Sequence, residues 1–263
     1  MPTLPMMTLN GASVDYEDTG GAGKLLLLLH TLLADRTVYD RVIPELAGEW
    51  RVISPNFPGY GASDGTIEGE IEGYAGFFAD FLDALGLTRV DLLGNGFGGF
   101  VAQSVALHYP ERIDRLMLVD TAPAFPDAAK VPLRGMQAKV LADGMSGVLD
   151  AAMLRMFPPA YIEAAPDVIA ERRAALGRAD PTRFANACGA LVALDHLPHL
   201  GKITHKTLVL VGLEDQTTPP ALSHQLADGI VDAKLVELPG VGHCPQVQAP
   251  DAFLAEITAF LVE

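Results

Sequence analysis

Cysteine is scarce in this chain, with only Cys188 and Cys244 among 263 residues. The two stand in neither a CxxC motif nor a metal-ligand spacing, so the pattern supports no disulfide and no cysteine-based metal site. Such cysteine usage is typical of a reducing compartment, and we expect a cytoplasmic protein. Cys244 directly follows His243, but a small, partly buried residue is its simplest interpretation.

The chain also has few basic residues for its number of acidic ones, and its apolar runs are short. The chain has 18 Lys and Arg against 33 Asp and Glu, a net charge of −15. Binding to a phosphate backbone requires a basic surface, so we expect no nucleic-acid partner. No apolar run approaches the roughly 20 residues that cross a bilayer, and residues 1–7 lack the basic-then-apolar pattern of a signal peptide. We therefore expect no membrane partner; a small molecule is the expected ligand, and the oligomeric state stays open.

A serine is missing from the most informative turn, Gly94-Asn95-Gly96-Phe97-Gly98-Gly99. The turn follows an apolar strand pattern at 90–93 and opens a helical pattern at 98–109. A Gly-x-Ser-x-Gly turn between a strand and a helix presents a nucleophilic serine on a strained backbone, and its small flanking residues let neighbouring backbone come close. Here Gly94 and Gly98 occupy the two small flanking positions, whereas Gly96 leaves the nucleophile position without a side chain.

Strand and helix patterns alternate over the first 121 residues and resume after residue 200. With 49% hydrophobic and 19% charged residues, the chain can fill one large core. Apolar strands separated by helical patterns predict an α/β protein with a mostly parallel sheet. Between 122 and 200, helical periodicity broken by prolines, Pro132 among them, predicts an inserted helical segment. The predicted strands are 7–10 and 13–17 (a hairpin through Asn10-Gly11), 25–29, 51–54, 90–93, 116–119, 207–211 and 233–237, with helices near 36–47, 71–85 and 98–109.

Four further motifs occur in a fixed order around the glycine turn. His30-Thr31-Leu32-Leu33 ends an apolar strand, and residues 55–63 read Pro-Asn-Phe-Pro-Gly-Tyr-Gly-Ala-Ser. Asp215 lies in the turn after strand 207–211, and His243 ends the loop Leu238-Pro239-Gly240-Val241-Gly242-His243. In this order, from Thr8 to Val262, the chain resembles the α/β-hydrolase superfamily, in particular enol-lactonases and the C–C hydrolases of ring-fission products.

The resemblance implies the α/β-hydrolase fold: a mostly parallel eight-stranded sheet with helices on both faces and an inserted helical cap. Residues 1–121 and 201–263 would form the core, and residues 122–200 the cap over the pocket. Because ligands bind at the carboxyl ends of parallel strands, the motif loops are expected to converge on one pocket.

The resemblance also assigns roles to residues of these loops. His243 is the expected proton acceptor, and Asp215 is the carboxylate that orients it. Asp120, at the end of strand 116–119, is the reserve acid. The backbone N–H groups of Leu32 and Phe97 are the expected oxyanion hole. No cofactor and no metal are expected.

Two other residue patterns suggest a dinucleotide site and a metal site. The glycines of the turn also spell G-x-G-x-x-G, with Asp120 about 20 residues on, which is the dinucleotide-binding pattern. That pattern normally opens the first strand–helix unit of a domain, whereas two such units precede this turn. Asp195, His196 and His199 have a spacing that suits a metal, but the neighbouring prolines and the lack of a fourth ligand favour a surface loop.

The expected chemistry is hydrolysis without a serine nucleophile. His243 and Asp215 would activate a water held in the space that Gly96 leaves, and the oxyanion hole would stabilise the attacked carbonyl. Loss of a serine removes most of the rate on an unactivated ester. The expected substrate is therefore a small activated acyl compound: an enol-lactone, a ring-fission ketone or an activated ester. Thr31, which stands in place of the family's usual glycine, can offer a hydroxyl to it.

Three alternatives stay open on the sequence alone. The His–Asp pair can serve as the base of non-hydrolytic chemistry, as in cofactor-free dioxygenases of this fold. The chain can instead be a catalytically silent, ligand-binding member of the superfamily. Gly96 can also be a replacement for the serine of an ordinary serine hydrolase, made to trap a complex.

Overall fold

Eight strands form one sheet in the computed structural model, which describes residues 5–67 and 70–263. They are β1 (Met6–Leu9), β2 (Ala12–Asp18), β3 (Lys24–Leu29), β4 (Trp50–Pro55), β5 (Val90–Asn95), β6 (Ile113–Val119), β7 (Lys206–Gly212) and β8 (Ala233–Leu238). Their order across the sheet is β1-β2-β4-β3-β5-β6-β7-β8. β2 pairs antiparallel with β1 and β4, and the remaining pairs are parallel. The predicted mostly parallel, eight-stranded sheet is confirmed.

The hairpin between β1 and β2 turns at Asn10 and Gly11, which both have positive φ, 51° and 81°. A two-residue hairpin of this kind requires left-handed backbone at both central positions, and asparagine and glycine adopt it most readily. The Asn-Gly signal therefore gave this connection correctly.

The central strands are buried along their length. All six residues of β5 are buried, and so are residues 26–29 of β3. A strand covered on both faces needs apolar side chains pointing both ways, which explains the leucine run of β3. The carboxyl ends of β3, β5, β7 and β8 lead into the four loops that carry the predicted site residues.

Helices lie in most of the connections between the strands and follow the last strand. They are α1 (Ile43–Leu46), α2 (Ile71–Ala84), α3 (Phe97–His108), α4 (Asp127–Asp143), α5 (Leu149–Met156), α6 (Pro159–Ala164), α7 (Pro166–Leu176), α8 (Pro181–Ala193), α9 (Pro220–Gly229), α10 (Pro245–Gln248) and α11 (Pro250–Val262). Of the helices in the described part of the chain, none has both the length and the apolar character to span a bilayer.

The single helix expected near 36–47 is wrong, because the chain forms a 3₁₀ turn at Arg36–Tyr39 and then the short α1. Asp35 caps the 3₁₀ turn by accepting the Thr37 N–H. Pro44 lies in the first turn of α1. Its ring nitrogen cannot donate the bond that a continuous helix would make to the carbonyl of Asp40.

The chain between β6 and β7 is helical and contains α4 to α8. Pro159, Pro166 and Pro181 each occupy the first residue of a helix, where the missing N–H costs nothing. Pro132 lies inside α4 and does not end it, contrary to the break expected there. α4 and α8 pack together, and the side chain of Gln137 donates to the carbonyl of Ala185 at 2.9 Å.

Candidate active site

The turn between β5 and α3 consists of Gly96 alone, with φ +52° and ψ −113°. This is a conformation that residues with a side chain rarely adopt. A β-carbon on Gly94 would collide with the carbonyl of Gly98, and one on Gly98 would collide with the carbonyl of Leu29. The close backbone approach inferred from the glycine pattern is therefore present on both sides of the turn.

The space beside Gly96 is already occupied. A β-carbon placed on Gly96 would lie 2.6 Å from Nε2 of His243 and closer still to Oγ1 of Thr31. The Thr31 hydroxyl itself lies 3.1 Å from His243 Nε2. The water expected between Gly96 and His243 therefore has a protein hydroxyl in its place.

His243 and Asp215 are brought together at the ends of β8 and β7. The Nδ1 atom of His243 lies 2.9 Å from Oδ2 of Asp215, and both side chains are about 1% exposed or less. Asp215 also accepts from the hydroxyl and N–H of Thr218 and from the N–H of Thr217. With Nδ1–H donating to a carboxylate, Nε2 is left as an acceptor. The sequence predicted this pair but not its Thr217 and Thr218 partners, although an aspartate two and three residues before threonines is a turn-capping pattern.

The environment of Asp215 favours its ionised form. Burial by itself would raise its pKa, but the charge of His243 and the hydrogen bonds from His243, Thr218 and Thr217 together hold the pKa of Asp215 below its ordinary value. A carboxylate that stays ionised fixes the histidine tautomer and stabilises the imidazolium that forms when Nε2 takes a proton.

Asp120, the reserve acid, is close to this pair without being hydrogen-bonded to His243. Its Oδ1 accepts from the N–H of Gly212 at 2.8 Å, and its Oδ2 has no hydrogen-bond partner among the described residues. Complete burial and the negative charge of Asp215 raise the pKa of Asp120 well above its ordinary value. Asp120 therefore holds its proton to higher pH than an ordinary aspartate does, and its burial leaves no carboxylate free for the ribose of a dinucleotide.

Donor atoms of Asp120, Asp215 and His243 lie within 4.8 Å of one another, the spacing of a possible metal-ligand group. Two of these atoms already bond to each other across the His243–Asp215 pair. The third residue favours its protonated form, which binds cations poorly. The donor set fits a hydrogen-bonded chain better than a metal centre.

Leu32 and Phe97, the predicted donors of the oxyanion hole, both line the cavity beside Gly96. The carbonyl of Thr31 accepts from His30 Nδ1 at 2.8 Å, and the carbonyl of Gly96 accepts from Gly99, Phe100 and Thr121. Because the N–H of a trans peptide points opposite to its carbonyl, both N–H groups point away from these anchors. Neither has an acceptor among the described residues. Two unpaired donors on residues that line one cavity can bind a developing oxyanion.

His30 fixes the first of these peptides. Its Nε2 accepts from the N–H of Phe57, so its Nδ1 carries the hydrogen donated to Thr31. Burial lowers the pKa of His30 to about 4, which keeps the ring neutral. The hydroxyl of Tyr60 holds the next carbonyl, that of Leu32, at 2.8 Å.

Asn95 connects the glycine turn to the histidine loop. Its Nδ2 donates to the carbonyls of Val119 and His243, and its Oδ1 accepts from Gln246. The side chain thus fixes the backbone of the residue that carries the imidazole. Neither Asn95 nor Gln246 was predicted as a site residue, because only the folded chain brings residues 95 and 246 together.

A cavity of about 260 Å³ opens over these groups. Its walls are mostly apolar and come from α3, from the start of the segment after β6, and from α4 and α8. The polar residues that line it are Thr31, Arg155, Gln216, Thr217, Thr218 and His243. The guanidinium of Arg155 has no ion-pair partner in the described part of the chain.

The remaining candidates lie apart from this cavity. Cys244 is fully buried, and burial followed by the charges of Asp120 and Asp215 raises its pKa well above the ordinary value, so it is an unreactive thiol. Residues 195, 196 and 199 border a separate pocket. Within the described residues their ligand atoms do not form a group of metal-binding dimensions.

Known proteins resemble this chain over nearly its whole length. Residues 26–256 match the model of the alpha/beta hydrolase family. The sequence is 25% identical to 3-oxoadipate enol-lactonase 2 of Acinetobacter baylyi over 97% of this chain and 95% of the relative. It is 31% identical to a 2-hydroxy-6-oxo-6-phenylhexa-2,4-dienoate hydrolase of Burkholderia cepacia over 82% of this chain and 78% of the relative. The crystal structure of the enol-lactonase from Burkholderia xenovorans superposes with a TM-score of 0.93 at 28% identity, covering 98% of this chain and all of that one, 100%.

Proposed function

Because this chain belongs to the alpha/beta hydrolase family, we propose that it hydrolyses a small activated acyl compound in the cavity beside Gly96. The observation that carries the proposal is the His243–Asp215 hydrogen bond of 2.9 Å at the cavity that Leu32 and Phe97 also line. A base and an oxyanion hole are the two parts of acyl transfer that do not need a serine side chain.

In the proposed reaction, Nε2 of His243 removes a proton from the water that is consumed. Asp215 stabilises the resulting imidazolium, and the negative charge that develops on the substrate carbonyl is bound by the Leu32 and Phe97 N–H groups. The imidazolium then returns the proton to the departing oxygen or carbon. No cofactor takes part in this sequence of steps.

The cavity supports a substrate that is mostly apolar and carries one anionic group. Its walls suit an alkyl or unsaturated carbon skeleton, and Arg155 is placed on the same wall to pair with a carboxylate. The carbonyl must be activated, as in an enol-lactone, a ring-fission ketone or an activated ester, since no elbow serine attacks it. The relatives are, by name, an enol-lactonase and a dienoate hydrolase.

We further propose that residues 122–200 act as a helical cap on a core made of residues 1–121 and 201–263. α4 supplies Ala129, Pro132, Leu133 and Met136 to the cavity, α5 supplies Arg155, and α8 supplies Leu191. A segment that contributes this much of the wall decides which acyl groups fit.

The test is turnover by the purified protein against a panel of enol-lactones, ring-fission dienoates and activated esters. His243→Gln should reduce kcat for any accepted substrate by about 10²- to 10⁴-fold, the usual contribution of a positioned base. His224→Gln is the matched control, because His224 is exposed and pairs with Glu237 at the surface. Its kcat should equal that of the wild type.

Other results would point elsewhere. Tight binding of a panel member without turnover would replace the hydrolase proposal with a ligand-binding role. Oxygen consumption that depends on His243 would replace it with a cofactor-free oxygenase. Turnover that His243→Gln leaves intact would remove His243 from the mechanism. Near-ultraviolet circular dichroism of each variant confirms that the fold is retained.

A further inference from the structure

We propose that Thr31 is the nucleophile of this protein, so that its hydroxyl replaces the missing serine of the glycine turn. The inference rests on the proposed function, because it adds a covalent acyl-threonine intermediate to the same hydrolysis.

The hydrogen bond between Thr31 and His243 has the direction that nucleophile activation needs. The Nδ1–H of His243 donates to Asp215, so Nε2 accepts and the Thr31 hydroxyl, 3.1 Å away, donates to it. Hydroxyl, imidazole and carboxylate thus form a continuous chain of the kind that activates a serine. Nothing else in the proposed function requires a hydroxyl at this point.

The other hydroxyls that line the cavity are engaged elsewhere. That of Thr217 donates to the carbonyl of Arg155, and that of Thr218 donates to Asp215. Thr31 is the cavity-lining hydroxyl that reaches the base. Cys244, the nearest thiol, is fully buried and is absent from the cavity wall.

The glycine at position 96 is what makes room for the Thr31 hydroxyl. A β-carbon at that position would overlap Oγ1 of Thr31 and would lie 3.0 Å from its Cβ. The space that a side chain at position 96 would need is therefore the space that the Thr31 hydroxyl fills. Compared with a serine elbow, the attacking oxygen belongs to the loop after β3 and no longer to the β5–α3 turn, whereas the base is still His243.

The proposed oxyanion hole also suits Thr31 as the nucleophile. In an elbow, the residue after the nucleophile supplies one of the N–H donors. Leu32 follows Thr31, and its N–H is the unpaired group held in place by His30 and Tyr60 on either side. Phe97 supplies the second donor from the opposite loop.

The chemical steps balance without any further reactant. The Thr31 proton passes to His243 Nε2 as the bond between Oγ1 and the acyl carbon forms. The bond to the leaving oxygen or carbon then breaks, and that atom takes the proton from His243. Water next gives its proton to Nε2 and adds to the acyl carbon. The ester bond to Thr31 breaks, and the proton returns to Oγ1.

The experiment is pre-steady-state hydrolysis of p-nitrophenyl butyrate, with peptide mass mapping of the acid-quenched protein. The wild type should release a burst of about one nitrophenolate per chain and carry the butyryl group on Thr31. Thr31→Val keeps the shape of the side chain without the hydroxyl, and should lose both the burst and the label, with kcat/KM at least about 100-fold lower. Thr31→Ser keeps a hydroxyl and should retain both.

Two results would overturn the inference while leaving the proposed function intact. One is turnover by Thr31→Val equal to that of the wild type, with His243→Gln inactive, which would mean direct attack by water. The other is a butyryl group mapped to any residue other than Thr31. If His243→Gln retained full turnover, the proposed function itself would fail. If Thr31→Val does not fold, the position of the butyryl group in the wild type and in Thr31→Ser still tests the inference.

Discussion

Asp120 has the most unusual environment of any single residue near the site. It is fully buried, lies at the end of β6 with a positive φ of 45°, and sits beside the ionised Asp215. Burial and that neighbouring charge raise its pKa, so the folded protein keeps a proton on Asp120 at pH values where the unfolded chain has lost it. A raised carboxyl pKa makes the unfolding free energy fall as pH rises.

Replacement of Asp120 by asparagine should remove this pH dependence. The contribution of Asp120 to the unfolding free energy falls by about 1.4 kcal/mol per pH unit between the ordinary aspartate pKa and the raised one. Asp120→Asn keeps an acceptor for Gly212 and a donor toward Asp215. Its stability relative to the wild type should therefore increase from pH 4 upward, as measured by urea unfolding. A stability difference that shrinks with rising pH would show that Asp120 is ionised in the folded protein. Asp228→Asn, which removes an exposed carboxyl, is the control.

The site residues that could be predicted from the sequence are those whose place follows from the order of the motifs along the chain. The family resemblance assigned His243 and Asp215, and their loops were expected to converge because they follow strand ends that meet at one sheet edge. The contact between Thr31 and His243 was not predictable, because it depends on distances of tenths of an ångström between loops 212 positions apart. The catalytic roles of His243, Asp215, Gly96, Leu32 and Phe97 stay predictions.

At the level of elements, the β5–α3 turn and the loop after β3 share one space. A serine side chain at position 96 would need the volume that the Thr31 hydroxyl fills, and Thr31 is short and β-branched and therefore moves little. A serine at position 96 therefore requires Thr31 to shift.

We expect Gly96→Ser alone to lower the unfolding free energy by about 1–3 kcal/mol, the usual cost of overpacking. In the Thr31→Ala background the same substitution should cost less, with a coupling of at least about 0.5 kcal/mol in a double-mutant cycle. The doubly substituted protein should carry the butyryl label at position 96. Strict additivity of the two unfolding free energies would mean that the two loops do not compete.

Element boundaries were predictable where local chemistry decides them. Proline at the first helical position and Asn-Gly at the hairpin act through backbone geometry alone, so the sequence signal suffices. Pro44 ends the continuous helix near Asp40 by the same local rule, whereas the continuity of α4 through Pro132 goes against it. A local pattern does not show which of the two outcomes a proline produces.

The net charge of −15 affects the whole molecule and acts on any anionic substrate before it reaches Arg155. The proposed carboxylate-bearing substrate is repelled at long range and attracted only inside the cavity. Salt screens the long-range part first, since the Debye length is about 10 Å at 0.1 M ionic strength.

For an anionic substrate, kcat/KM should therefore rise a few-fold as ionic strength increases from about 0.01 to 0.15 M. A neutral ester of the same acid should show no such rise. Arg155→Gln should reduce kcat/KM for the anionic substrate only, through KM. Equal salt responses of the two substrates, with no selective effect of Arg155→Gln, would contradict the assignment of an anionic group.

The fold of the whole molecule followed from the sequence more securely than its activity did. Family membership and the eight-stranded sheet were both predicted and are confirmed. Alternating apolar strands and helices leave few ways to bury both faces of a sheet. The cytoplasmic location and the identity of the substrate stay predictions, because neither is determined by the packing of the core.

The hydrogen bonds between α5 and the loops of the acid and the base have a consequence for the site as a whole. The carbonyl of Met156 accepts the N–H of His243, and the carbonyl of Arg155 accepts the hydroxyl of Thr217. Because both acceptors belong to consecutive residues at the end of α5, a change in the position of this helix reaches the loop of the acid and the loop of the base together. The segment that lines the cavity is thus tied to the two residues proposed to do the chemistry.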